Sequence, residues 1–341
     1  MPIVTKIKLV LKNIMPKCAW VYLQKNKFDY KLSLFYKDQR KRFFKYCSSP
    51  WNTGEPQLVG KLVYFTHRIE KGLSHTDFRP RFGKRAFSDL AKVMVEWHQR
   101  GYSLDNEAYI AASDVFLAYR MKHEAINEPL PDFYYRIVDS VHLSNSKKEP
   151  ISGVNNVLAS EKKENCQKNF SEIFNGRTSV REFDDSPVDF DKIHRAINLS
   201  MKTPSVCNRQ SFRVTLINNT KIIAQALDLQ GGWRGYKKPP VLALITSDIS
   251  TFVGAEERNE PYIDGGLFTM SFLLSLEYES LATCPLNAMF QIKQEKQMRS
   301  LLNIPDSEVL IAFVAIGNFA DSVPAPKSFR FAGKSITRII H

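Results

Sequence analysis

The chain has 341 residues, of which 43% are hydrophobic and 24% are charged, a composition that excludes an intrinsically disordered protein. Its 15 glycines and 17 prolines are ordinary numbers and exclude a collagen-like or low-complexity chain. The net charge of +13 is uneven, because residues 1–50 hold twelve basic residues against two acidic ones, Asp29 and Asp38. We therefore expect the basic charge to act through the N-terminal end of the chain.

The cysteines and the apolar runs indicate the compartment. The five cysteines are scattered and include no C-x-x-C pair, which excludes a disulfide framework and a zinc site. No apolar run reaches the ~18–20 residues that are needed to cross a bilayer. Lysines interrupt the apolar start of the chain, so it lacks the hydrophobic region of a signal peptide. These observations predict a cytoplasmic protein without a metal site.

The first 60 residues form a basic arm that is also rich in aromatic side chains, including Tyr22, Phe28 and Tyr36. One interpretation is a solvated pair of helices whose aromatic side chains pack on the rest of the protein. The alternative is a surface attracted to an anionic membrane through residues 1–50, or to another acidic partner, with the protein peripheral at the membrane. Nucleic acid is not expected as a partner, because no zinc finger or RNA-recognition motif is present.

Residues 61–145 are predicted to form a helical subdomain. Leu62, Phe65 and Ile69 fall on one face at helical spacing, and Gly72 can end that helix. Nothing in this part of the sequence alternates with the period of two that is typical of strands.

Three more helices are expected in the same subdomain. One runs from the capping residue Ser88 to Gly101, and the others cover 105–122 and 131–142. A polar stretch with turn-forming residues follows and predicts a linker over 146–169.

Residues 170–335 have a different character, in which helices and strands alternate. An amphipathic helix over 189–201 is capped by Asp189, and a second helix is capped by Thr220 and ended by Gly231. The residues of the first helix that face inward are predicted to be Ile193, Ala196, Ile197 and Met201.

Three strands and one long helix complete this part of the chain. Residues 212–218 alternate as a strand does, while 241–246 and 309–319 are continuous apolar runs typical of strands buried on both faces. The helix over 262–280 is apolar on nearly all sides, so we expect it to be covered all round. The alternation predicts a layered α/β or α+β sandwich.

Common catalytic and nucleotide-binding motifs are missing. The sequence has no G-x-G-x-x-G, no G-x-x-x-x-G-K-[ST], no H-E-x-x-H and no G-x-S-x-G. What remains is four polar segments that border predicted helices and strands. They are GRTSVREF (176–183), TPSVCNRQSF (203–212), LATCPLNAM (281–289) and PAPKSFR (324–330). Guanidinium, ammonium and hydroxyl groups in the first and last segments suit a phosphate monoester.

The order of these segments resembles the nitroreductase family of FMN-dependent oxidoreductases. The opening R-x-S-x-R-x-F is followed by P-S-x-x-N-x-Q, then by Asp264-Gly265-Gly266 at a long apolar helix, a Pro-containing loop and a strand that ends in I-G-N. The resemblance covers about residues 170–331. It implies an α+β fold, a three-layer α/β/α sandwich with a mixed, mainly antiparallel sheet, extended here by the N-terminal helices.

The resemblance also implies an FMN site without a catalytic side chain. Arg177 and a basic residue of the last segment, Lys327 or Arg330, would hold the phosphate with Thr178 and Ser179 beside them. Arg181 would lie by the ribityl chain and the pyrimidine edge of the flavin, where a cation favours the reduced form. The residues that would line the flavin ring are Pro204, Ser205, Asn208 and Gln210. Pro285 would precede the main-chain donors of Asn287 and Ala288, which would face flavin N5.

The activity that this resemblance implies is hydride transfer from NAD(P)H to flavin N5, followed by delivery of two electrons to an unknown acceptor. The enzyme would be a homodimer, with the flavin at the subunit interface. HRIEKGL (67–73) is similar to a segment of longer relatives associated with bacterial surface-polysaccharide gene clusters, which suggests a role in polysaccharide metabolism.

Two alternatives stay open. The first is a non-catalytic flavin-fold assembly or membrane-surface protein that docks through its basic arm. The second is a flavin enzyme that uses oxygen rather than a nicotinamide. Thr178 replaces the second basic residue of the family's opening motif, Ser280 replaces a glycine before the Pro-containing loop, and the helical excursion that covers the flavin in relatives is absent.

Overall fold

A computed structural model describes residues 14–144 and 149–340 of the chain. Helix α1 (Lys17–Tyr46) covers most of the predicted basic arm, and none of its residues is buried. Its contact with the remainder of the protein includes the guanidinium of Arg258, which lies 4.4 Å from the ring centroid of Phe35. Among the described helices, none is both long enough and apolar enough to cross a membrane.

The next four helices pack around one apolar core and are called the helical region here. They are α2 (Glu55–Leu73), α3 (Lys84–Gln99), α4 (Glu107–Ala125) and α5 (Asp132–Val138). Leu62, Ile69, Trp97 and Phe116 are fully buried in this core. The amphipathic pattern in the sequence reflects their burial.

Two predicted helix ends in this region are wrong. Helix α2 runs through Gly72, because the glycine is there for close packing: a Cβ atom at this position would lie 1.9 Å from Cε2 of Phe82. Helix α3 begins at Lys84 rather than at Ser88, after Gly83 in the left-handed region at φ 89°. Ser88 instead donates its hydroxyl to the carbonyl of Lys84.

The predicted linker over 146–169 contains regular structure where the structure describes it. Strand β1 (Val154–Leu158) pairs antiparallel with β6 (Ser322–Pro326), and short 3₁₀ turns follow before helix α6 (Phe170–Gly176). Polarity predicted a loop, but the pairing partner lies more than 160 residues away in the sequence. Residues 145–148 are outside the described part of the chain.

The C-terminal half is built on a four-stranded antiparallel sheet. Its strands are β2 (Phe212–Ile217), β3 (Val241–Asp248), β4 (Leu281–Asn287) and β5 (Glu308–Asn318), in the order β2-β3-β5-β4. Strand β4 was predicted as a loop, and it lies at the sheet edge, where Pro285 costs no ladder hydrogen bond on its open side.

Helices cover both faces of this sheet, which confirms the predicted three-layer α+β fold. Helices α7 (Phe190–Ser200) and α9 (Glu260–Tyr278) pack on one face through Ile193, Phe268 and Phe272. Helices α8 (Thr220–Gln230) and α10 (Ile292–Leu302) pack on the other face. A short helix, α11 (Gly333–Ile336), follows β6.

The helix caps and helix ends in this half were only partly predicted. Asp189 caps α7 by accepting from the N–H of Asp191, as expected, but Met201 is exposed because it lies past the end of the helix. Asn219, rather than Thr220, caps α8, since its side chain accepts from two backbone N–H groups. Gly231 ends α8 in the left-handed conformation, as predicted.

Helix α9 is the central helix, but it is not covered on all sides as predicted. Tyr262, Ile263 and Leu267 are 55%, 50% and 47% exposed and form an open apolar face near its start. On the opposite side, Gly265 allows a close approach to the sheet, because a Cβ atom there would lie 2.6 Å from Cγ1 of Ile311 in β5.

Candidate functional site

A cavity of about 810 Å³ lies between β1, α6, α9 and the segment that follows β6. The opening motif (176–183) contributes Arg177, Thr178 and Ser179 to its wall, and the closing segment (324–330) contributes Lys327 and Arg330. These residues are about 150 positions apart in the sequence, yet the fold brings them to one space. The size is within the ~300–1,000 Å³ that is typical of ligand pockets.

Arg177 is the central cation of this cavity. It follows α6 directly, and its backbone N–H donates to the carbonyl of Ile173, which ends the helix. Its Nη1 atom is buried and finds no hydrogen-bond partner among the described residues. Burial lowers the pKa of Arg177, Glu277 opposes this shift, and Arg330 adds to it. A buried guanidinium with a free donor suits an anionic ligand.

The closing segment is held partly by backbone carbonyls. Lys327 donates from Nζ to the carbonyl of Pro150 at 2.7 Å, and its backbone N–H donates to the carbonyl of Gly153 at 2.9 Å. Arg330 donates from Nη1 to the carbonyls of Ser328 and Phe329. Arg330 is exposed, so its remaining donors are accessible from the cavity.

One ion pair at the cavity wall was not found from the sequence. Lys162 donates from Nζ to Oε1 of Glu277 at 2.6 Å, and Asn165 donates from Nδ2 to the same oxygen at 3.2 Å. Lys162 also donates to the carbonyl of Gly176, next to Arg177. Burial raises the pKa of Glu277, while Lys162 opposes the shift. The polar stretch that holds Lys162 and Asn165 carries no motif that could have predicted this contact.

Arg181 does not line this cavity and lies on the side of the helical region, near Lys71. It is 7% exposed, and its Nε atom has no hydrogen-bond partner among the described residues. Burial lowers the pKa of Lys71 in α2, and Arg181 is the second cause of this shift. Arg181 also contributes to lowering the pKa of His75, which stacks on Tyr236 at a centroid distance of 3.8 Å.

The second segment (203–212) does not line the cavity of its own chain. None of the four residues predicted there, Pro204, Ser205, Asn208 and Gln210, is part of the cavity wall. Their loop is held at the start of α9, because the N–H of Val206 donates to both carboxylate oxygens of Asp264 at 3.2 Å. Ser205 accepts from the backbone N–H of Gln210 at 3.0 Å.

The third segment (281–289) reaches the cavity through Pro285 alone. Asn287 ends strand β4 opposite Ala312, and its carbonyl accepts from Nε2 of Gln230. Ala288 packs beside the apolar cluster that includes Phe313. The predicted pair of donors in a loop is therefore the end of an edge strand, whose outer side is bridged by Ser179 at Thr283.

The residues present fit a phosphorylated ligand. The observation that decides this is the buried Nη1 of Arg177, which has no hydrogen-bond partner in the described part of the chain, supported by Lys327 and Arg330 in the same wall. Ser179 and Thr178 add hydroxyl donors. Arg177, Ser179 and a closing cation would hold the phosphate of FMN, and FMN would supply the redox chemistry that these side chains lack.

Comparison with known proteins gives one family match and several similar solved structures. The nitroreductase family model matches residues 175–233 and 230–318. No curated protein matches the chain. A candidate NAD(P)H:FMN oxidoreductase from Staphylococcus epidermidis is 18% identical, over 51% of this chain and 96% of that chain, with a TM-score of 0.45. A nitroreductase family protein from Clostridium difficile is 19% identical, over 50% of this chain and 98% of that chain, with a TM-score of 0.42. A nitroreductase with bound FMN from Desulfitobacterium hafniense is 14% identical, over 50% of this chain and 97% of that chain, with a TM-score of 0.39.

Since all three TM-scores are below 0.5, the assignment rests on the family model. The matched residues include the opening motif from Asn175 onward and end with the I-G-N of β5. The match confirms the resemblance over the first three of the four segments, while the closing segment (324–330) lies beyond the matched residues. Residues 175–318, fewer than half of the chain, are therefore similar to the nitroreductase family.

Proposed function

We propose that the chain takes hydride from NAD(P)H through FMN and passes two electrons to a small-molecule acceptor. The observation that carries this proposal is the buried Nη1 of Arg177, unpartnered within residues 14–144 and 149–340, in a cavity that Lys327 and Arg330 also line. Such a set of donors binds a phosphate through charge-assisted hydrogen bonds. The nitroreductase family match over 175–318 supports FMN as the molecule that carries this phosphate.

The side chains of this protein bind, orient and neutralise charge. Arg177, Ser179 and Thr178 anchor the phosphate end, and the wall of Leu273 and Met270 from α9 excludes water from the same cavity. Arg181, buried beside the helical region, supplies a fixed positive charge for the anionic reduced ring. No acidic or basic side chain is needed as a proton donor in this scheme.

We propose a homodimer as the functional unit. The predicted ring-binding loop 204–210 does not reach the cavity of its own chain, so a second copy would have to supply it. The open apolar face of Tyr262, Ile263 and Leu267 lies on the helix whose Asp264 holds that loop. Size-exclusion chromatography with light scattering tests this point, and a monomer that binds FMN fully would contradict it.

The purified protein gives the direct test of the redox function. We expect a yellow protein, or an apoprotein that takes up added FMN, with flavin absorbance that NADH or NADPH bleaches in the absence of oxygen. A colourless protein that rejects FMN would contradict the proposal. Colour without bleaching by either nicotinamide would favour the flavin enzyme that uses oxygen instead.

A second proposal concerns location. We propose a cytoplasmic protein whose α1 contacts an anionic membrane surface, because α1 has no buried residue and leaves Tyr22, Phe43 and Phe44 more than 60% exposed among its lysines and arginines. Residues 1–13 of the arm lie outside the described chain. The similarity of HRIEKGL to longer relatives from polysaccharide gene clusters supports an acceptor in bacterial surface-polysaccharide metabolism.

A further inference from the structure

The segment HRIEKGL (67–73) is outside the matched family domain, yet its side chains contact the walls of the candidate site. It forms the last two turns of α2. Glu70, in the middle of the segment, is 2% exposed. An acidic side chain is rarely buried so fully unless charged or polar groups surround it.

Glu70 joins two backbone segments through one carboxylate oxygen. Oε1 accepts from the N–H of Gly153 at 3.0 Å and from the N–H of Ser328 at 3.3 Å. Gly153 precedes β1, and Ser328 lies between the two cavity cations Lys327 and Arg330. Hydrogen bonds to an ionised oxygen are stronger than neutral ones, so this contact favours one relative position of the two segments.

The backbone of both segments has a positive φ at this contact. Ser328 is in the left-handed region at φ 49°, which a serine adopts only at a cost. Gly153 has φ 120°, and a Cβ atom there would lie 2.8 Å from Cβ of Ala118 in α4. The helical region therefore contacts these two segments in two ways, through the carboxylate of Glu70 and through the packing of Ala118 against Gly153.

We propose that Glu70 is a positioning residue for the phosphate end of the FMN site. It holds the backbone of Ser328 so that Lys327 and Arg330 face the cavity opposite Arg177. The helical region is then a working part of the cofactor site and not a separate module. This inference rests on the proposed function, since it gives the cavity a phosphate to bind.

On its other side the segment contacts the chain after α8 through Lys71, and Thr76, three residues beyond the segment, contacts the opening motif. Lys71 donates from Nζ to the carbonyl of Gly232 at 2.9 Å, and Tyr236 donates its hydroxyl to the carbonyl of Lys71 at 2.7 Å. The N–H of Thr76 donates to Oε1 of Glu182 at 2.9 Å, next to Arg181. One short stretch of the helical region thus contacts both ends of the candidate site.

The test compares FMN with riboflavin, which has the same ring but no phosphate. Full-length wild type, Glu70→Gln and Glu70→Leu are titrated with each flavin by fluorescence quenching, well below their unfolding temperatures. The matched control is Val93→Ala, because Val93 is buried in the same helical core and its apolar side chain makes no hydrogen bond to the two segments that Glu70 joins. We expect Val93→Ala to lower the melting temperature but to leave both affinities unchanged.

For the Glu70 variants we expect weaker FMN binding, with riboflavin binding nearly constant. The neutral acceptor of Glu70→Gln should weaken FMN binding by roughly three- to tenfold, because charge-assisted hydrogen bonds are about twice as strong as neutral ones. Glu70→Leu, which lacks an acceptor, should weaken it by about tenfold or more. If Glu70→Leu does not fold, the FMN and riboflavin affinities of Glu70→Gln test the proposal.

Two contradicting results can be told apart. Wild type that binds riboflavin as tightly as FMN would overturn the phosphate cavity and with it the proposed function. Wild type that prefers FMN, with the same preference in both Glu70 variants, would overturn only the positioning role. An equal loss for both flavins would also overturn it, since that loss would not act through the phosphate.

Discussion

The ammonium group of Lys162 lies 2.6 Å from Oε1 of Glu277, and the two side chains are only 8% and 1% exposed. Such a pair is costly to bury, and it is held here by a third partner, Asn165, which also donates to the carbonyl of Glu277 at 2.7 Å. Lys162 borders the cavity while Glu277 belongs to α9. The pair therefore joins the segment after β1 to the central helix beside Arg177.

Breaking this pair on one side should destabilise the protein strongly. Lys162→Met leaves Glu277 buried without its counter-charge, and we expect a loss of about 3–5 kcal/mol in the free energy of unfolding. The double variant Lys162→Met/Glu277→Leu should lose less than the two single variants together. Urea unfolding of the four proteins measures this coupling, and additive losses would show that the two charges do not stabilise each other.

Removing the guanidinium of Arg177 should weaken FMN retention. We expect Arg177→Ala to bind FMN roughly 10- to 150-fold less tightly, because one charge-assisted phosphate contact is worth about 1.5–3 kcal/mol. The control is Arg195→Ala, since Arg195 forms an exposed pair with Glu279 and does not line the cavity. Equal FMN affinity in wild type and Arg177→Ala would place the phosphate elsewhere.

The stability of the contact between the helical region and the C-terminal half should depend on pH through His75. Burial lowers the pKa of His75, Glu182 opposes the shift, and Arg79, Lys71 and Arg181 add to it. The folded state then binds fewer protons than the unfolded chain, whose histidine titrates near about 6.5. The stabilisation is complete above that pH and is lost as the pH falls from about 6.5 through the lower folded value.

The measurement is urea unfolding at several pH values between 8 and 5, for wild type and His75→Phe. Phenylalanine can keep the stacking on Tyr236 but does not titrate. We expect wild type to lose more stability than the variant over this range. Parallel curves for the two proteins would mean that His75 does not contribute to the pH dependence.

Reversing charge on α1 should abolish binding to anionic vesicles. Arg40, Lys41 and Arg42 are exposed, so Arg40→Glu/Lys41→Glu/Arg42→Glu removes attraction without touching a core. We expect wild type to sediment with phosphatidylserine vesicles at low salt and less at high salt. The control triple Lys221→Glu/Lys293→Glu/Lys296→Glu makes the same change in net charge on α8 and α10. Loss of binding in both triples would indicate net charge alone.

The sequence predicts what local patterns encode. The apolar run at 241–246 is a buried strand, and Asp189 caps its helix as its chemistry suggests. The order of motifs predicts that Arg177 and Arg330 share a site, and both line one cavity. Each of these features depends on a short stretch or on a family pattern.

The features that were missed depend on distant partners. Strand β1 forms only because β6 lies beside it, and its own residues Asn155 and Asn156 favour turns rather than strands. Lys162 forms its ion pair with Glu277, which is more than 110 positions away in the sequence. The partners of Glu70 could not be predicted from its sequence, because they are the backbone N–H groups of Gly153 and Ser328, and any residue except proline can offer such a group.

The close approach of Gly265 to Ile311 sets the height of α9 above the sheet. Met270 and Leu273, one and two turns further along this helix, form part of the cavity wall. A larger residue at 265 would lift the helix and widen the space beside Arg177, unless a smaller side chain replaced Ile311 at the same time. Residues 265 and 311 are therefore expected to vary as a pair among related chains. A change at only one of the two positions would weaken cofactor binding.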